Sequence, residues 1–356
     1  MEKELLKKIS SWPRLSFLIL PTPLYKLVHL TAALGGPEIY VKRDDLTGPG
    51  FGGNKTRKLE FIVADAIAKG CNAIVTWGSV QSNWCFQTVL TCRRFGLTPV
   101  LFLFTPRQQA PPPEGNLFLD RLAGAEIYFR QAPVGKVVGR ELALREIEAV
   151  LPELEARGLK PYVVSVGGSM PIGSMESPLG AISYVLAFHE AWDQARTLGL
   201  SFSHIIHASG SGATQAGLLV GAKILAPTWR IIGISVSDDR QSFTQEVLTI
   251  SRATAASLGL QVEVTAEQIT VLDDYLESGY GALSRRVVET ISQVLQKEGL
   301  VLDPVYTAKA MTGLIDLTAK GYFRREDKVL FFHTGGAPGL FALRRGILRI
   351  GKKAQA

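Results

Sequence analysis

The sequence predicts an α/β protein built from two wound parallel-sheet domains, and two observations support this fold class. Most candidate strands are continuous apolar runs, as expected of strands buried on both faces of a sheet. Helical patterns separate these strands, and such alternation is typical of a parallel sheet covered by helices. The predicted strands are Ile39–Lys42, Ala73–Trp77, Pro99–Phe104, Glu126–Phe129, Tyr162–Val166, His204–His207, Arg230–Ser235 and Val329–His333.

Apolar residues at helical spacing fill most of the intervals between these strands. Two irregular stretches, Thr105–Asn116 and Val166–Pro178, are predicted to be loops at strand ends, where ligand contacts are common. The predicted helices are Lys55–Lys69, Gln81–Phe95, Gly115–Leu122, Gly139–Arg157, Ala181–Leu198, Ala213–Leu225, Ser242–Leu258, Leu283–Lys297 and Thr307–Lys320.

Composition excludes several classes of function. The chain has 356 residues, 46% of them hydrophobic, which is ample for one or two packed cores. Its net charge of +7 is spread along the chain, so anionic small molecules are better candidate partners than nucleic acid. The three cysteines form no metal-ligand pattern, which argues for free thiols, no metal and a cytoplasmic location. No apolar run is long enough for a membrane span.

The segment Phe51–Glu60, with the sequence FGGNKTRKLE, contains the strongest candidate for chemistry. Its two glycines allow a tight turn close to a ligand, and Asn54 is predicted to cap the following helix. Lys55 then lies in the first helical turn, where the helix dipole, burial and neighbouring cations favour a neutral amine. Such an amine could hold an aldehyde as a Schiff base. The alternative is a solvated lysine in a glycine turn.

The segment Ser79–Asn83, with the sequence SVQSN, follows a buried strand and leads into a helix. Ligands of α/β proteins bind at the carboxyl ends of parallel strands, so Ser82 and Asn83 are candidates for ligand contacts. An ordinary helix cap is equally consistent with this motif.

The segment Ser209–Gly217, with the sequence SGSGATQAG, also lies between an apolar strand and a helix. Its small residues expose backbone N–H groups at a helix N-terminus, which is a typical site for an anion. The segment lacks the ending of a P-loop, and it comes too late in the chain for a dinucleotide fold. The pattern therefore favours a single phosphate group, with glycines that serve only packing as the alternative.

Three further polar residues follow strands or begin helices. Tyr280 in GYG and Tyr306 in VYT could line a site or pack as core or rim aromatics. Thr334 in TGG follows the last buried strand, where a hydroxyl can meet a ring nitrogen of a ligand.

Taken together, GGNKTRKLE, QSN, SGSGATQAG, GYG, LDPVYTAKA and FFHTGGAPGLFA resemble, in order and spacing, the 1-aminocyclopropane-1-carboxylate deaminase and D-cysteine desulfhydrase family. The likeness extends from Pro21–Tyr25 to Phe341. It implies a pyridoxal 5'-phosphate (PLP) enzyme with the tryptophan synthase β-subunit fold (fold type II), acting as a homodimer. It also implies a large PLP-binding domain of residues 1–60 and 172–356 and a small α/β domain of residues 61–171.

The resemblance implies roles for individual residues. Lys55 resembles the Schiff-base lysine, and Asn83 resembles the partner of the cofactor's phenolic oxygen. Ser82 resembles a residue that contacts the substrate carboxylate or assists proton transfer, while Tyr280 and Tyr306 match the two active-site tyrosines. The residues that match the phosphate loop are Gly210, Ser211, Gly212, Ala213 and Thr214.

Several positions depart from the family pattern or leave a role open. Trp84 follows the QSN motif where His or Gln is common, and Trp77 lies near a strand end where small residues are usual. The segment Met170–Glu176 resembles an insertion. These departures predict a reshaped pocket and leave the substrate open. Lys58 matches a family position, but the sequence assigns it no role.

Thr307 bears on the choice of reaction. Deaminases of the family carry a glutamate at this position, and a carboxylate near the pyridine nitrogen would make the ring a stronger electron sink. One or both of Thr307 and Thr334 are predicted to be neutral partners of that nitrogen. We therefore expect a lyase that removes an α-proton and a β-substituent from a small amino acid, giving a 2-oxo acid and ammonia. D-cysteine is the leading substrate.

Three alternative functions stay open at this stage. The first is a 1-aminocyclopropane-1-carboxylate deaminase, and the second is a lyase for another β-substituted amino acid such as L-cysteate. The third is a homologue that binds PLP without catalysis, suggested by Trp84. Lys55, the two tyrosines and the intact phosphate loop count against this third alternative.

Overall fold

The computed structural model describes residues 1–106, 110–132 and 138–355, with side chains described to residue 351. Its strands are β1 (Leu24–Lys26), β2 (Glu38–Lys42), β3 (Ala73–Ser79), β4 (Thr98–Thr105), β5 (Glu126–Gln131), β6 (Pro161–Val163), β7 (His204–Ser209), β8 (Arg230–Ser235), β9 (Thr270–Leu272) and β10 (Lys328–Phe332). Its helices are α1 (Glu2–Ser10), α2 (Val28–Leu34), α3 (Asn54–Ala68), α4 (Asn83–Arg94), α5 (Gly115–Leu122), α6 (Arg140–Glu148), α7 (Leu151–Ala156), α8 (Leu179–Thr197), α9 (Ala213–Leu225), α10 (Arg240–Ser257), α11 (Arg285–Glu298), α12 (Thr307–Ala319), α13 (Ala337–Ala342) and α14 (Arg344–Gln355).

These strands form two sheets, which confirms the predicted fold class. The larger sheet has the strand order β1-β2-β10-β7-β8-β9, in which β1 pairs antiparallel with β2 and the other neighbours are parallel. The smaller sheet has the order β5-β4-β3-β6, and its strands are parallel.

Both faces of the larger sheet are buried. Leu330 and Phe332 of β10 pack into one apolar cluster with residues of α8 and α9, whereas Val329 and Phe331 pack into another with residues of α11 and α12. Successive side chains of a strand point to opposite faces, so this alternation places helices on both sides of the sheet. The continuous apolar runs that predicted the strands have this physical cause.

Helix α3 joins the two sheet units. It packs against both α8 and α4, and its Leu59 and Ile62 lie in one apolar cluster with residues of both units. The two sheets fall on either side of the predicted domain division, but the boundary at residue 60 falls inside α3. The boundaries themselves stay a prediction.

The structure differs from the predicted elements at several places. The predicted helix Gly139–Arg157 is two helices, α6 and α7, because Pro152 has no N–H to continue the first one. The predicted strand Tyr162–Val166 differs from β6, which ends at Val163. Gly167, just after the predicted end, adopts a positive φ of 69°. The sequence missed the short strands β1 and β9 and the helices α1, α2, α13 and α14. The predicted loop Thr105–Asn116 lies partly outside the described residues.

A buried network of charges holds the start of α3. The Arg57 guanidinium donates to both oxygens of Asp44, at 2.9 and 2.8 Å, and to both oxygens of Glu190, at 3.1 and 2.8 Å. Lys42 Nζ donates to Glu190 Oε1 at 2.5 Å. Burial opposes the charge on Glu190, but Arg57 and Lys42 hold its pKa at about 2. The network ties α3 to β2, to α8 and to the turn after β2.

We expect Arg57→Ala to lower the free energy of unfolding by about 3 kcal/mol, because it leaves the buried Asp44 carboxylate without its cation and removes one of the two cations that pair with Glu190. Urea unfolding followed by circular dichroism measures this loss. The matched control is Arg285→Ala, which breaks an exposed pair with Glu289 and should change the free energy by less than about 0.5 kcal/mol. Equal losses in the two variants would contradict the assigned importance of the network.

Candidate active site

A cavity of about 730 Å³ lies where the ends of β3, β7 and β10 face one another. Most of the residues singled out from the sequence line it, although they are far apart in the chain. These are Lys55, Ser82, Asn83, Gly210, Ser211, Gly212, Thr214, Tyr280, Tyr306 and Thr334.

Lys55 is positioned by the backbone around Gly53. Helix α3 begins at Asn54, with Gly53 (φ 126°) before it, so the predicted cap at Asn54 is wrong. Gly53 N donates to Asp44 O at 2.9 Å, and Asn54 N donates to Thr334 O at 3.1 Å. Asn54 Nδ2 instead donates to Thr214 Oγ1 at 3.1 Å, because its side chain points across the cleft toward α9. This contact joins the start of α3 to the start of α9.

The amines of Lys55 and Lys58 have lowered pKa values. Burial lowers the pKa of Lys55 from 10.5 to about 8, and a contact with Lys58 opposes part of that shift. Burial and the neighbouring Lys55 push the pKa of Lys58 well below 10.5. Lys58 is fully buried, its Nζ lies 5.6 Å from the Tyr184 ring centre, and no oxygen of the described residues accepts a hydrogen bond from it.

The loop between β7 and α9 contains small residues whose surroundings leave little space. Gly212 has a φ of 74°, and a Cβ there would lie 2.6 Å from Ile250 Cδ1. This glycine is therefore required by packing and by backbone conformation alike, which agrees with the packing alternative, while its contact with a phosphate stays a prediction. Ala213 does not line the cavity; it is buried in an apolar cluster, and its N–H donates to Ser211 O at 2.9 Å.

The amine of Lys58 lies near the loop, although Lys58 is not among the residues that line the cavity. A Cβ on Gly167 would lie 3.4 Å from Lys58 Nζ and 2.5 Å from Ser211 Oγ. The buried hydroxyl of Ser209 also has no described hydrogen-bond partner. First-turn N–H groups of α9 add further donors, because the first four N–H groups of a helix lack helical partners. The arrangement can hold a phosphate group.

Ser82 and Asn83 begin helix α4. Ser82 Oγ accepts a hydrogen bond from Cys85 N at 3.2 Å, so Ser82 is a helix cap as well as a cavity residue. Asn83 Oδ1 accepts from Asn116 Nδ2 at 2.8 Å. The amide N–H groups of Asn83 remain as the donors that can face a ligand. Asn116 was not singled out by the sequence, because its contact with Asn83 depends on how α5 packs on α4.

The two tyrosines come together. Tyr280 Oη and Tyr306 Oη are 2.5 Å apart, and burial raises the pKa of both phenols. The Ser79 hydroxyl lies 3.3 Å from Tyr280 Oη. The hydroxyl groups at this end of the cavity therefore stay protonated at neutral pH and can donate to a ligand.

Thr307 does not line the cavity, in contrast to Thr334. Thr307 is fully buried, and its Oγ1 donates to Asp303 Oδ1 at 2.8 Å and accepts from Asp303 N at 2.8 Å. The Asp303 carboxylate also accepts from the backbone N–H groups of Val305, Tyr306 and Thr307, and so caps α12. The Thr307 hydroxyl is used by Asp303, so of the two threonines Thr334 is the one that lines the cavity, and the contact of either with a ring nitrogen stays a prediction.

The departures from the family pattern have structural explanations. Trp84 lines the cavity but is only 1% exposed, and its indole N–H donates to Thr76 Oγ1 at 2.7 Å, so it packs mainly in the core. Trp77 also lines the cavity and packs in an apolar cluster of the smaller sheet unit. In the segment Met170–Glu176, Ser174 pairs with the backbone of Val163 at the edge of β6. None of the residues 170–176 lines the cavity.

Fold and site together define a class of protein, a PLP-dependent enzyme with two α/β units. The family described as pyridoxal-phosphate dependent enzyme matches residues 15–335, and the chain belongs to this family.

Comparisons with individual proteins agree with the resemblance read from the motifs. The chain is 39% identical to a D-cysteine desulfhydrase of Serratia proteamaculans, over 94% of this chain and 97% of the relative. It is 38% identical, over 94% of both chains, to a protein of Pyrococcus abyssi provisionally named a 1-aminocyclopropane-1-carboxylate deaminase. The crystal structure of an ACC deaminase homologue superposes with a TM-score of 0.87 at 35% identity, covering 98% of this chain and 100% of the other. A threonine deaminase, with a TM-score of 0.63 and 16% identity over 94% of this chain and 97% of the other, shares the fold.

The described residues contain neither a helix suited to a membrane nor a cluster of metal ligands. No helix in residues 1–106, 110–132 and 138–355 has the length and apolar character needed to cross a membrane. Over the same ranges, His, Cys, Asp and Glu side chains form no group of three or more that could hold a metal ion.

We expect Thr307→Glu to lower the free energy of unfolding by about 3 kcal/mol, because it adds a buried carboxyl group beside Asp303. Thr307→Ser keeps the hydroxyl and is the matched control, for which we expect a loss below about 1 kcal/mol. Chemical denaturation of both variants measures the difference. A fully stable Thr307→Glu protein would contradict the buried position of this side chain.

Proposed function

We propose that the protein is a PLP-dependent lyase that eliminates the β-substituent of a small amino acid, with D-cysteine as the substrate. One observation carries the choice of reaction. Among the described residues that line the cavity, Glu114 is the one carboxylate, and its Oε1 accepts from Arg344 Nη2 at 3.2 Å. Asp303 lies behind Thr307 with its oxygens bound to backbone N–H groups. A neutral hydroxyl, that of Thr334, is the partner we propose for the pyridine nitrogen.

The described residues fit the cofactor. The Lys55 amine would hold its aldehyde carbon, and Asn83 would donate to its phenolic oxygen. The loop Gly210–Thr214 and Lys58 would hold its phosphate, which supplies the hydrogen-bond acceptor that buried Lys58 lacks. When bound, PLP withdraws electrons from the α-carbon of an amino acid attached to it.

The side chains of this protein would move the protons. An amine with a pKa of about 8 exists in both forms near neutral pH, so Lys55 can accept the α-proton of the substrate. The hydroxyls of Tyr280, Tyr306 and Ser82 can donate to the departing group or to the substrate carboxylate. The C–S bond breaks, sulfide leaves, and water converts the remaining enamine to pyruvate and ammonia.

We also propose that the enzyme is a homodimer in the cytoplasm. Support for the dimer comes from exposed apolar side chains on adjacent segments, Ile19, Leu46 and Phe51, since Ile19 N donates to Thr47 O at 2.9 Å. Cys71, Cys85 and Cys92 are free thiols, as expected in a reducing compartment.

The substrate proposal is tested with the purified holoenzyme. We expect pyruvate and sulfide from D-cysteine to form with a higher kcat/KM than 2-oxobutanoate from 1-aminocyclopropane-1-carboxylate, because a neutral ring partner favours elimination. L-cysteine and L-cysteate complete the panel. Lys55→Ala is the blank and should lack both turnover and the visible absorbance of bound cofactor. Faster opening of the cyclopropane ring by the unmodified enzyme would overturn the argument from Thr334.

We expect Lys58→Met to weaken PLP binding by about tenfold, because one charge-assisted hydrogen bond to phosphate is lost. Titration of the apoenzyme with PLP, followed by visible absorbance, measures the dissociation constant. The apoenzyme should be no less stable than the unmodified one, since a buried amine without a hydrogen-bond partner among the described residues is replaced by an apolar side chain. Lys320→Met, which changes an exposed lysine, is the control. Unchanged affinity in Lys58→Met would remove Lys58 from the phosphate site.

A further inference from the structure

Ser79 connects the smaller sheet unit to the tyrosine pair. It is the last residue of β3, its Oγ lies 3.3 Å from Tyr280 Oη, and Tyr280 Oη lies 2.5 Å from Tyr306 Oη. The three hydroxyls form a chain from the small unit, across the cavity, to the start of α12. Ser79 lines the same cavity as both tyrosines.

Separate contacts hold each of the three hydroxyl-bearing residues in place. Lys309 Nζ donates to Leu276 O at 2.9 Å and to Gly279 O at 3.1 Å, which holds the turn before Tyr280. Tyr306 N donates to Asp303 Oδ2 at 3.0 Å. Ser79 pairs in register with Phe104 of β4. The two tyrosines are therefore held by the larger unit, and Ser79 by the smaller sheet.

Hydrogen bonding in such a chain is directional. Three hydroxyls with two contacts use two protons between them and leave one free. If Ser79 donates to Tyr280, the second contact runs either from Tyr280 to Tyr306 or from Tyr306 to Tyr280, and in both cases the free proton belongs to one of the two tyrosines. If Tyr280 donates to Ser79 instead, Tyr306 must donate to Tyr280, so both tyrosine protons are used within these contacts and neither can reach a ligand.

We propose that Ser79 is a positioning residue that donates to Tyr280 and so leaves one tyrosine hydroxyl proton, that of Tyr280 or of Tyr306, available for the departing β-substituent. The proposal rests on the proposed elimination reaction, in which the tyrosines donate protons. It adds a residue from the small unit to the proton-donating group. Donation from Ser79 also stabilises a phenolate at Tyr280, whereas Asp303 and Cys85, the other titratable groups near the pair, oppose it.

The test compares Ser79→Ala with Ser79→Thr, which keeps the hydroxyl and suits a strand end. We expect Ser79→Ala to lower kcat about fivefold to tenfold, the effect of one hydrogen bond, with KM changed less than about twofold. Ser79→Thr should restore most of kcat. Ser203→Ala, which removes a hydroxyl bonded to Lys328 O away from the cavity, should have no effect.

A double-mutant cycle separates positioning from a general structural effect. In a Tyr280→Phe background, Ser79→Ala should cause no further loss of kcat, because its partner is already absent. An unchanged kcat in Ser79→Ala, a full second loss in the Tyr280→Phe background, or failure of Ser79→Thr to restore activity would each overturn the proposal.

A measurement without turnover separates this proposal from the proposed function. The near-ultraviolet absorbance of phenolate, taken as the difference between the holoenzyme and its Tyr280→Phe variant, follows ionisation of Tyr280. Its midpoint should move to higher pH in Ser79→Ala, because a donor to the phenolate is lost. An unmoved midpoint overturns the Ser79 proposal. An unmodified enzyme that turns over no amino acid of the panel, with the midpoint shift present, overturns the proposed reaction alone.

Discussion

The Arg57–Asp44 ion pair is the interaction on which the active site depends. Asp44 O also accepts from Gly53 N, so the same residue that pairs with Arg57 fixes the backbone before Lys55. The guanidinium matches two carboxylates with paired N–H groups, a geometry that a lysine could not reproduce. Because the pair is buried among Thr22, Tyr184 and Glu190, the first turn of α3 has little freedom. The reactive amine is thereby held on a rigid element.

Charge is distributed unevenly between the two sides of the site. Lys55 and Lys58 lie together with lowered pKa values, while Tyr280, Tyr306 and Thr334 offer hydroxyl groups to the cavity. A buried cation without an acceptor destabilises the protein unless a ligand supplies one. Binding of an anionic cofactor and folding of this region should therefore be linked. Under the proposed function, the absence of a cavity carboxylate beside Thr334, among the described residues, is the feature that we expect to favour elimination over ring opening.

Several residues have uses that their motifs did not predict. Thr307 belongs to the cap of α12, because Asp303 supplies a carboxylate that accepts its hydroxyl. Trp84 packs in the core, since Thr76 accepts its N–H. Asn54 reaches across the cleft to Thr214 instead of capping its own helix. In each case a partner distant in sequence, or on a neighbouring element, determines where a polar group points.

The sequence by itself determined the fold class and many of the residues that line the cavity, because buried parallel strands and glycine-rich loops at helix starts leave local patterns of apolar runs and glycines. Lys55 and the loop Gly210–Thr214 were found in this way. The cofactor followed from the resemblance of the motifs to a known family. Only the tertiary structure decided which hydroxyls face the cavity. Thr307 and Thr334 are alike as sequence features, and Ser79 differs from Ser82 only by its place in one motif. Their roles depend on Asp303 and Tyr280, which are brought to them by the packing of separate helices and loops, and such contacts leave no periodic signal in the chain.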